Sequence, residues 1–170
     1  MGTWPGISLL DQHWPVIVLA ARDEMFHATT TIVLLAALWP IRRIDGRVFA
    51  CAVAGSVLID LDHVPAALGS TVLSSSYGRP VTHGLLTVIA ICIVALAGSG
   101  RWRVGGLAIA FGIASHLFRD IATGGVLLFW PGSKQVVEVE YAAYFLSLTG
   151  FVMLAVVMLL VGCRELPWMK

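Results

Sequence analysis

The sequence predicts an all-α membrane protein, a polytopic transmembrane helical bundle of about five spans with an N-terminal interfacial or re-entrant segment. Hydrophobic residues make up 58% of the 170-residue chain and charged residues 12%, against roughly 45–50% and 25% in soluble globular proteins. The run 141–163 holds 23 residues without a charge, enough to cross a hydrocarbon core of about 30 Å. Since a soluble fold of this size could not bury so much apolar surface, residues 1–170 are predicted to form one integral membrane domain.

The first element in chain order, residues 1–22, is predicted to lie in the membrane interface or to re-enter the membrane. Its apolar stretch is interrupted by Asp11, Gln12 and His13, a pattern that disfavours a cleaved signal peptide. A short additional crossing at residues 16–21 remains an alternative.

The spans follow as apolar runs separated by short polar connections. They are predicted at residues 23–40, 46–63, 80–98, 104–121 and 141–163. Pro40 closes the first span, and Pro65 disfavours helix at the residue before it, so the second span should end near residue 63. Pro80 fits the first turn of the third span. Gly124 and Gly125 suit the end of the fourth helix and the turn after it.

The basic residues predict the orientation of these spans. Seven of the 11 Lys and Arg residues fall on one side of the membrane in this topology, and the positive-inside rule assigns that side to the cytoplasm. These seven are Arg42, Arg43, Arg47, Arg101, Arg103, Arg164 and Lys170. Because basic residues are scattered and the net charge is only +1, nucleic-acid binding is not expected. A multi-pass protein of a prokaryotic cytoplasmic (inner) membrane is predicted.

Histidines and aspartates gather at the opposite, non-cytoplasmic ends of the first four spans. The candidate metal ligands are His27, Asp60, Asp62, His63, His83, His116 and Asp120. Asp120 follows His116 by four residues, which places both side chains on one face of a helix. Imidazole and carboxylate ligands together suit zinc, with manganese as an alternative. The sequence therefore predicts a metal site within a core of residues 23–131, toward the non-cytoplasmic face.

Ionisable residues next to apolar spans are costly and are read as functional by default. Any one of these residues alone could instead be a satisfied interfacial side chain or part of an Asp–His pair that ties two helices together. Because all seven candidate ligands are predicted on the same side of the membrane, the metal site is the favoured interpretation.

Two arginines on the predicted metal face could bind an anionic substrate, because a guanidinium group clamps phosphate with paired hydrogen bonds. They are Arg79, in the connection before the third span, and Arg119, next to Asp120. For Arg119, a structural pairing with Asp60 or Asp62 is an equally good interpretation.

Two threonines and one of the candidate ligands receive additional roles around the metal. Asp62 is predicted to serve as a general base, since it lies two residues from Asp60 and should point in a different direction. Thr82 and Thr123 could orient the ligands by hydrogen bonds, or they could simply cap their helices.

These motifs resemble the YdjM-type family of membrane-bound, metal-dependent hydrolases. The resemblance covers about residues 25–131. It is carried by His27, by Asp60-Leu61-Asp62-His63, by Arg79-Pro80-Val81-Thr82-His83-Gly84, and by His116 to Asp120, Thr123-Gly124-Gly125-Val126 and Pro131. The resemblance implies a helical protein that is distantly similar to zinc-dependent phospholipase C and to a related zinc nuclease. Gly84 stands where the family usually has Ser, so a hydroxyl group beside His83 is missing.

The expected function is hydrolysis of a phosphoester, in which a zinc-like ion activates water. Because the site should lie at headgroup depth among membrane lipids, the expected substrate is a phospholipid, lipid phosphate or other lipid-linked phosphate. Two alternatives remain: a transporter of ions, protons or metal, and a non-catalytic membrane protein with a structural metal. A conduit would need ionisable residues toward the cytoplasmic side, and apart from Arg47 at the edge of the second, the first four predicted spans have no Asp, Glu, His, Lys or Arg in their cytoplasmic halves.

Overall fold

The computed structural model describes residues 16–38, 44–68, 70 and 80–162, and within these ranges the fold is all-helical. The helices are α1 (Val16–Leu38), α2 (Gly46–Leu58), α3 (His63–Ala67), α4 (Leu85–Ala97), α5 (Gly100–Thr123) and α6 (Tyr141–Gly162). A 3₁₀ turn, Ile59–Asp62, joins α2 to α3. Residues 16–22 of the predicted interfacial segment form the first turns of α1, because no glycine or proline interrupts the helix there. Residues 1–15 lie outside the described ranges.

Two helical stretches among the described residues have the length and apolar composition of a membrane span, against the five predicted. They are Gly46–Pro65 and Gly100–Thr123. The apolar stretches Leu85–Ala97 and Tyr141–Val157 are shorter. Helix α1 is long enough but carries the consecutive charged residues Arg22, Asp23 and Glu24 in its first half.

The predicted second span, residues 46–63, ends within two residues of the end of the apolar helical stretch Gly46–Pro65, although Pro65 does not stop the helix. Helical backbone continues through the 3₁₀ turn into α3, which ends at Ala67. Pro65 is the third residue of α3, and in the first turn of a helix its missing N–H has no intrahelical partner to lose.

The predicted start of the third span at Pro80 was wrong, since α4 begins at Leu85. The N–H of His83 donates to the carbonyl of Pro80, and the N–H of Leu85 donates to the carbonyl of Leu128 across the bundle end. These bonds replace a helical ladder, so His83 lies in a loop before α4.

Helix α5 is the centre of the bundle, and α2, α4 and α1 all pack against it. The α2–α5 contact is close because small residues face each other. A Cβ atom added to Gly112 would overlap the carbonyl group of Ala52, and one added to Gly55 would lie 2.5 Å from the carbonyl oxygen of Ile109. Such small-residue contacts are typical of membrane helix pairs.

The segment 124–140 folds over one end of this bundle. As predicted, α5 ends before Gly124 and Gly125, which adopt φ values of 150° and 70° that disfavour a side chain. Val126 and Val137 then exchange backbone hydrogen bonds, and the N–H of Val139 donates to the carbonyl of Ile121. This cap, through Leu128, holds the loop that carries His83.

Candidate metal centre

Three elements deliver four side chains to one point at the capped end of the bundle. Asp60 lies on the 3₁₀ turn after α2, and His83 lies in the loop before α4. His116 and Asp120 come from successive turns of α5. Both histidines are fully buried, Asp120 is buried, and Asp60 is partly buried.

Four distances within this group, hereafter the cage (Asp60, His83, His116 and Asp120), are close to those of a coordination shell. The Nε2 atom of His116 lies 3.4 Å from Oδ1 of Asp60 and 3.3 Å from Oδ2 of Asp120. The Nε2 atom of His83 lies 2.9 and 3.8 Å from the same two oxygens. Tetrahedral ligands about 2.1 Å from zinc are roughly 3.4 Å apart. The four atoms could therefore bind one ion with small adjustments.

The other ring nitrogen of each cage histidine, Nδ1, donates a hydrogen bond to an acceptor that is not part of the cage. The Nδ1 atom of His116 donates to the carbonyl oxygen of Ser56 at 2.7 Å, and Nδ1 of His83 donates to Oδ2 of Asp62 at 3.1 Å. In its neutral form, a ring held in this way directs the lone pair of Nε2 toward the cage. The Nε2 atom of His116 is buried with no hydrogen-bond partner, although it faces two carboxylate oxygens. Metal-binding histidines have this arrangement of one nitrogen on the ion and the other on a carbonyl or carboxylate.

The protonation of His83 reflects the negative charge around it. Burial is the largest single influence and lowers the pKa of His83, but the hydrogen bonds to Asp60 and Asp62, together with the charges of Asp62 and Asp120, raise the pKa to about 9. The ring thus retains a second proton between the carboxylates of Asp60 and Asp62, and a metal ion bound at Nε2 would displace that proton. The cage attracts positive charge, as a cation site must.

Asp62 is not the free carboxylate that the predicted general base requires. Its Oδ2 atom accepts hydrogen bonds from the hydroxyl of Thr82 and from Nδ1 of His83. Its Oδ1 atom lies 3.1 Å from Nδ1 of His63. The arrangement suits orientation of His83, with Thr82 fixing the carboxylate.

His63 lies at the edge of the cage and retains 20% exposure of its side chain. Its Nδ1 atom is 3.5 Å from Oδ1 of Asp60, and its ring packs edge-on against His83 with centroids 4.9 Å apart. Asp60, Asp62, His63 and His83 can together offer one ligand atom each within 4.8 Å. His63 could therefore complete the coordination of an ion in the cage.

His27 reaches the cage from α1, with its ring stacked on that of His116 at a centroid distance of 3.6 Å. Its Nε2 atom lies 3.6 Å from Oδ1 of Asp120, but it also accepts a hydrogen bond of 2.8 Å from the guanidinium of Arg119. The three residues His27, His116 and Asp120 offer ligand atoms within 4.8 Å. His27 is thus beside the cage and already has a cationic partner.

Arg119 is buried and makes its ion pair with Asp23, 2.6 Å away, rather than with Asp60 or Asp62 as the alternative sequence interpretation expected. The hydroxyl of Thr123 donates to the carbonyl of Arg119 on the same helix at 3.4 Å. Arg79 lies outside the described residues.

A comparison with known protein families matches residues 24–169 to the model of the YdjM inner membrane protein family. The chain belongs to the YdjM inner membrane protein family. The match covers most of the chain and includes every residue of the cage. The chain matches no curated protein and no solved structure.

The structure of this YdjM family member adds two acidic residues that the sequence analysis did not select. Asp23 pairs with Arg119. Glu24 hydrogen-bonds through its side chain to Asp60, although its Oε2 atom is buried without a partner. Two carboxyl groups in contact require either a shared proton or a cation. The spacing of Glu24 and His27, three residues apart on one helix face, was the available signal.

Proposed function

We propose that this protein is a multi-pass inner-membrane hydrolase that uses a divalent ion, zinc by preference, to cleave a phosphoester in a lipid or lipid-linked substrate. The observation that carries the proposal is the geometry of His83 and His116. Each ring has one nitrogen held by an outside acceptor and the other directed at the same two carboxylates. This arrangement favours a built metal site over ordinary helix pairing.

The exposed apolar surface supports a location within the bilayer. Only 17% of an apolar 18-residue segment of Gly46–Pro65 is buried inside the protein, so much of this helix needs another apolar environment. We propose five crossings, with α1, α4 and α6 completing the bundle. Because the cage lies at the ends of α2 and α5, the reacting group of its substrate would lie at headgroup depth.

The residues of the centre match the needs of phosphoester hydrolysis. A zinc-like ion, when bound, supplies a water of lowered pKa and stabilises negative charge on the phosphoryl oxygens. Asp62 holds the ring of His83, and the carbonyl of Ser56 holds that of His116. Buried Arg119 adds a fixed positive charge next to the ligands.

The packing below the cage disfavours a transport function. Ser56 and Gly112 lie one helical turn below Asp60 and His116 on their respective helices. At this level Gly112 of α5 lies against the backbone of Ala52 of α2. This backbone contact leaves no room between α2 and α5 for an ion path. The remaining alternative, a metal that only stabilises the fold, is distinguished from a catalytic metal by the hydrolysis assay.

The direct test is hydrolysis by purified, zinc-loaded protein in detergent micelles. We expect cleavage of at least one substrate among phospholipids, lipid phosphates and an aryl phosphate, and we expect a chelator to abolish it. Arg79→Lys retains the charge but loses the guanidinium fork, so it should lower kcat more than metal content. Metal-loaded protein that cleaves none of these substrates would contradict the hydrolase proposal.

The orientation has its own test, since the metal face is proposed to be non-cytoplasmic. A Gly78→Cys variant should react with a membrane-impermeant thiol reagent added to intact spheroplasts. An Arg103→Cys variant should react only after the membrane is opened. The reverse pattern would invert the topology.

A further inference from the structure

The space beside the cage is filled by a cation that belongs to the protein. We propose that Arg119 is the fixed second cation of the centre, held by His27 and covered by Asp23. The anionic group of a substrate, a phosphate or similar oxyanion, would bind between this guanidinium and a single divalent ion in the cage. The inference rests on the proposed metal site and goes beyond it by assigning the ion count, the role of His27 and the anion-binding group.

The contact between Arg119 and His27 decides the role of the histidine. A guanidinium group has only donors and does not lose its charge in proteins. At 2.8 Å from the guanidinium nitrogen, Nε2 of His27 must therefore be the acceptor. The same lone pair cannot also bind a metal ion. Although the sequence predicted His27 as a metal ligand, its geometry makes it a positioning residue for Arg119.

The guanidinium lies close enough to the cage to act with a bound ion. The ring of His27 stacks on that of His116 at 3.6 Å, and Asp120 bridges the two parts of the site. One oxygen of Asp120 lies 3.6 Å from Nε2 of His27, and the other lies 3.3 Å from Nε2 of His116. An oxyanion beside Asp120 could therefore meet both positive charges.

The Asp23–Arg119 pair is asymmetric in its exposure. The side chain of Arg119 is 8% exposed, whereas that of Asp23 is 52% exposed. The ring of Phe26 also supports the guanidinium, 5.3 Å from its central carbon. Arg119 is thus fixed by His27 and Phe26, while its partner Asp23 can rotate into solvent. Asp23 occupies the place that an incoming phosphate oxygen would take.

The first measurement is the zinc content of full-length protein, purified in detergent, zinc-loaded and desalted. We expect one zinc per chain in the wild type and in His27→Gln, whose amide oxygen can still accept from Arg119. His116→Ala should lose the ion. Two ions per chain, with one lost in His27→Gln, would overturn the inference and make His27 a ligand. If neither the wild type nor any variant binds zinc, the proposed metal site itself fails.

The second measurement is calorimetric titration of the same preparations with inorganic phosphate. Arg119→Lys should weaken phosphate binding about tenfold, since paired charge-assisted hydrogen bonds are lost. Asp23→Asn should strengthen binding by about threefold or more, because the competing carboxylate is removed. Glu138→Gln, which changes an exposed carboxylate in the capping segment, should have no effect. Unchanged binding in both Arg119→Lys and Asp23→Asn, with zinc retained, would overturn the anion site while leaving the metal site intact.

Discussion

Helices α5 and α6 are almost equally long, with 24 and 22 residues, but they lie in opposite environments. Helix α6 carries no charged residue, and most of its large apolar side chains are exposed. Helix α5 carries the buried residues His116, Arg119 and Asp120 and packs against α1, α2 and α4. In a soluble protein the more apolar helix would be the central one. Here lipid can cover the apolar helix, so polar side chains mark the interior.

The largest effect that this comparison predicts concerns metal binding. His116→Ala and Asp120→Ala should each remove most of the bound zinc, because they act as one chelating pair on successive turns of α5. The matched change on α6 is Ser147→Ala, since the hydroxyl of Ser147 donates to the carbonyl of Ala143 on its own helix. It should leave zinc content unchanged, as measured by elemental analysis. Full retention of zinc in either α5 variant would remove α5 from the metal centre.

A smaller effect is expected for glycines on the two helices. Gly112→Ala should lower the free energy of unfolding by about 1–3 kcal/mol or more, since the new methyl group overlaps the backbone of Ala52. Gly150→Ala on α6 has nothing within 4 Å of the new atom and should be neutral or stabilise the helix by up to about 1 kcal/mol.

Detergent-unfolding titrations with dodecyl sulfate measure both variants. If Gly112→Ala were as stable as Gly150→Ala, then the close α2–α5 contact would not exist in the folded protein.

The smallest effect concerns a polar contact by which α6 joins the interior. The hydroxyl of Tyr144 hydrogen-bonds that of Thr30 on α1 at 2.7 Å, and Tyr144 is buried. Tyr144→Phe should therefore cost about 1 kcal/mol of unfolding free energy. Tyr141→Phe changes a half-exposed ring on the same helix and should cost nothing measurable. Equal values for the two variants would show that α6 packs through apolar contacts alone.

Much of the site could be predicted from the sequence because its strongest signals are local. The His116–Asp120 spacing requires only a helix, and the Gly124–Gly125 pair requires only a helix end. The position of His83 in a loop was not predictable in this way. It depends on the hydrogen bond from Leu85 to Leu128, which joins residues far apart in the sequence.

The acidic residues of α1 show why the rest of the site was missed. Asp23 and Glu24 follow Arg22 in a charged group that is typical of the flank of a membrane helix. Only the packing of α1 against α5 shows that Asp23 meets Arg119. Likewise, Asp62 is a candidate base in the sequence, but the turn at Thr82–His83 engages one of its oxygens. Partners contributed by other segments cannot be inferred from spacing.

The close contact of Gly112 with Ala52 also bears on how this protein would acquire its metal. Since the contact closes the gap between α2 and α5 below the cage, the route to the cage that the described residues offer is the end where Asp23 and His63 reach solvent. Metal supply on that side of the membrane, after the helices have been inserted, would then set the occupancy of the centre. In the proposed orientation the cytosolic zinc pool and its chaperones would have no access, and loading would follow the metal status of the extracytoplasmic environment.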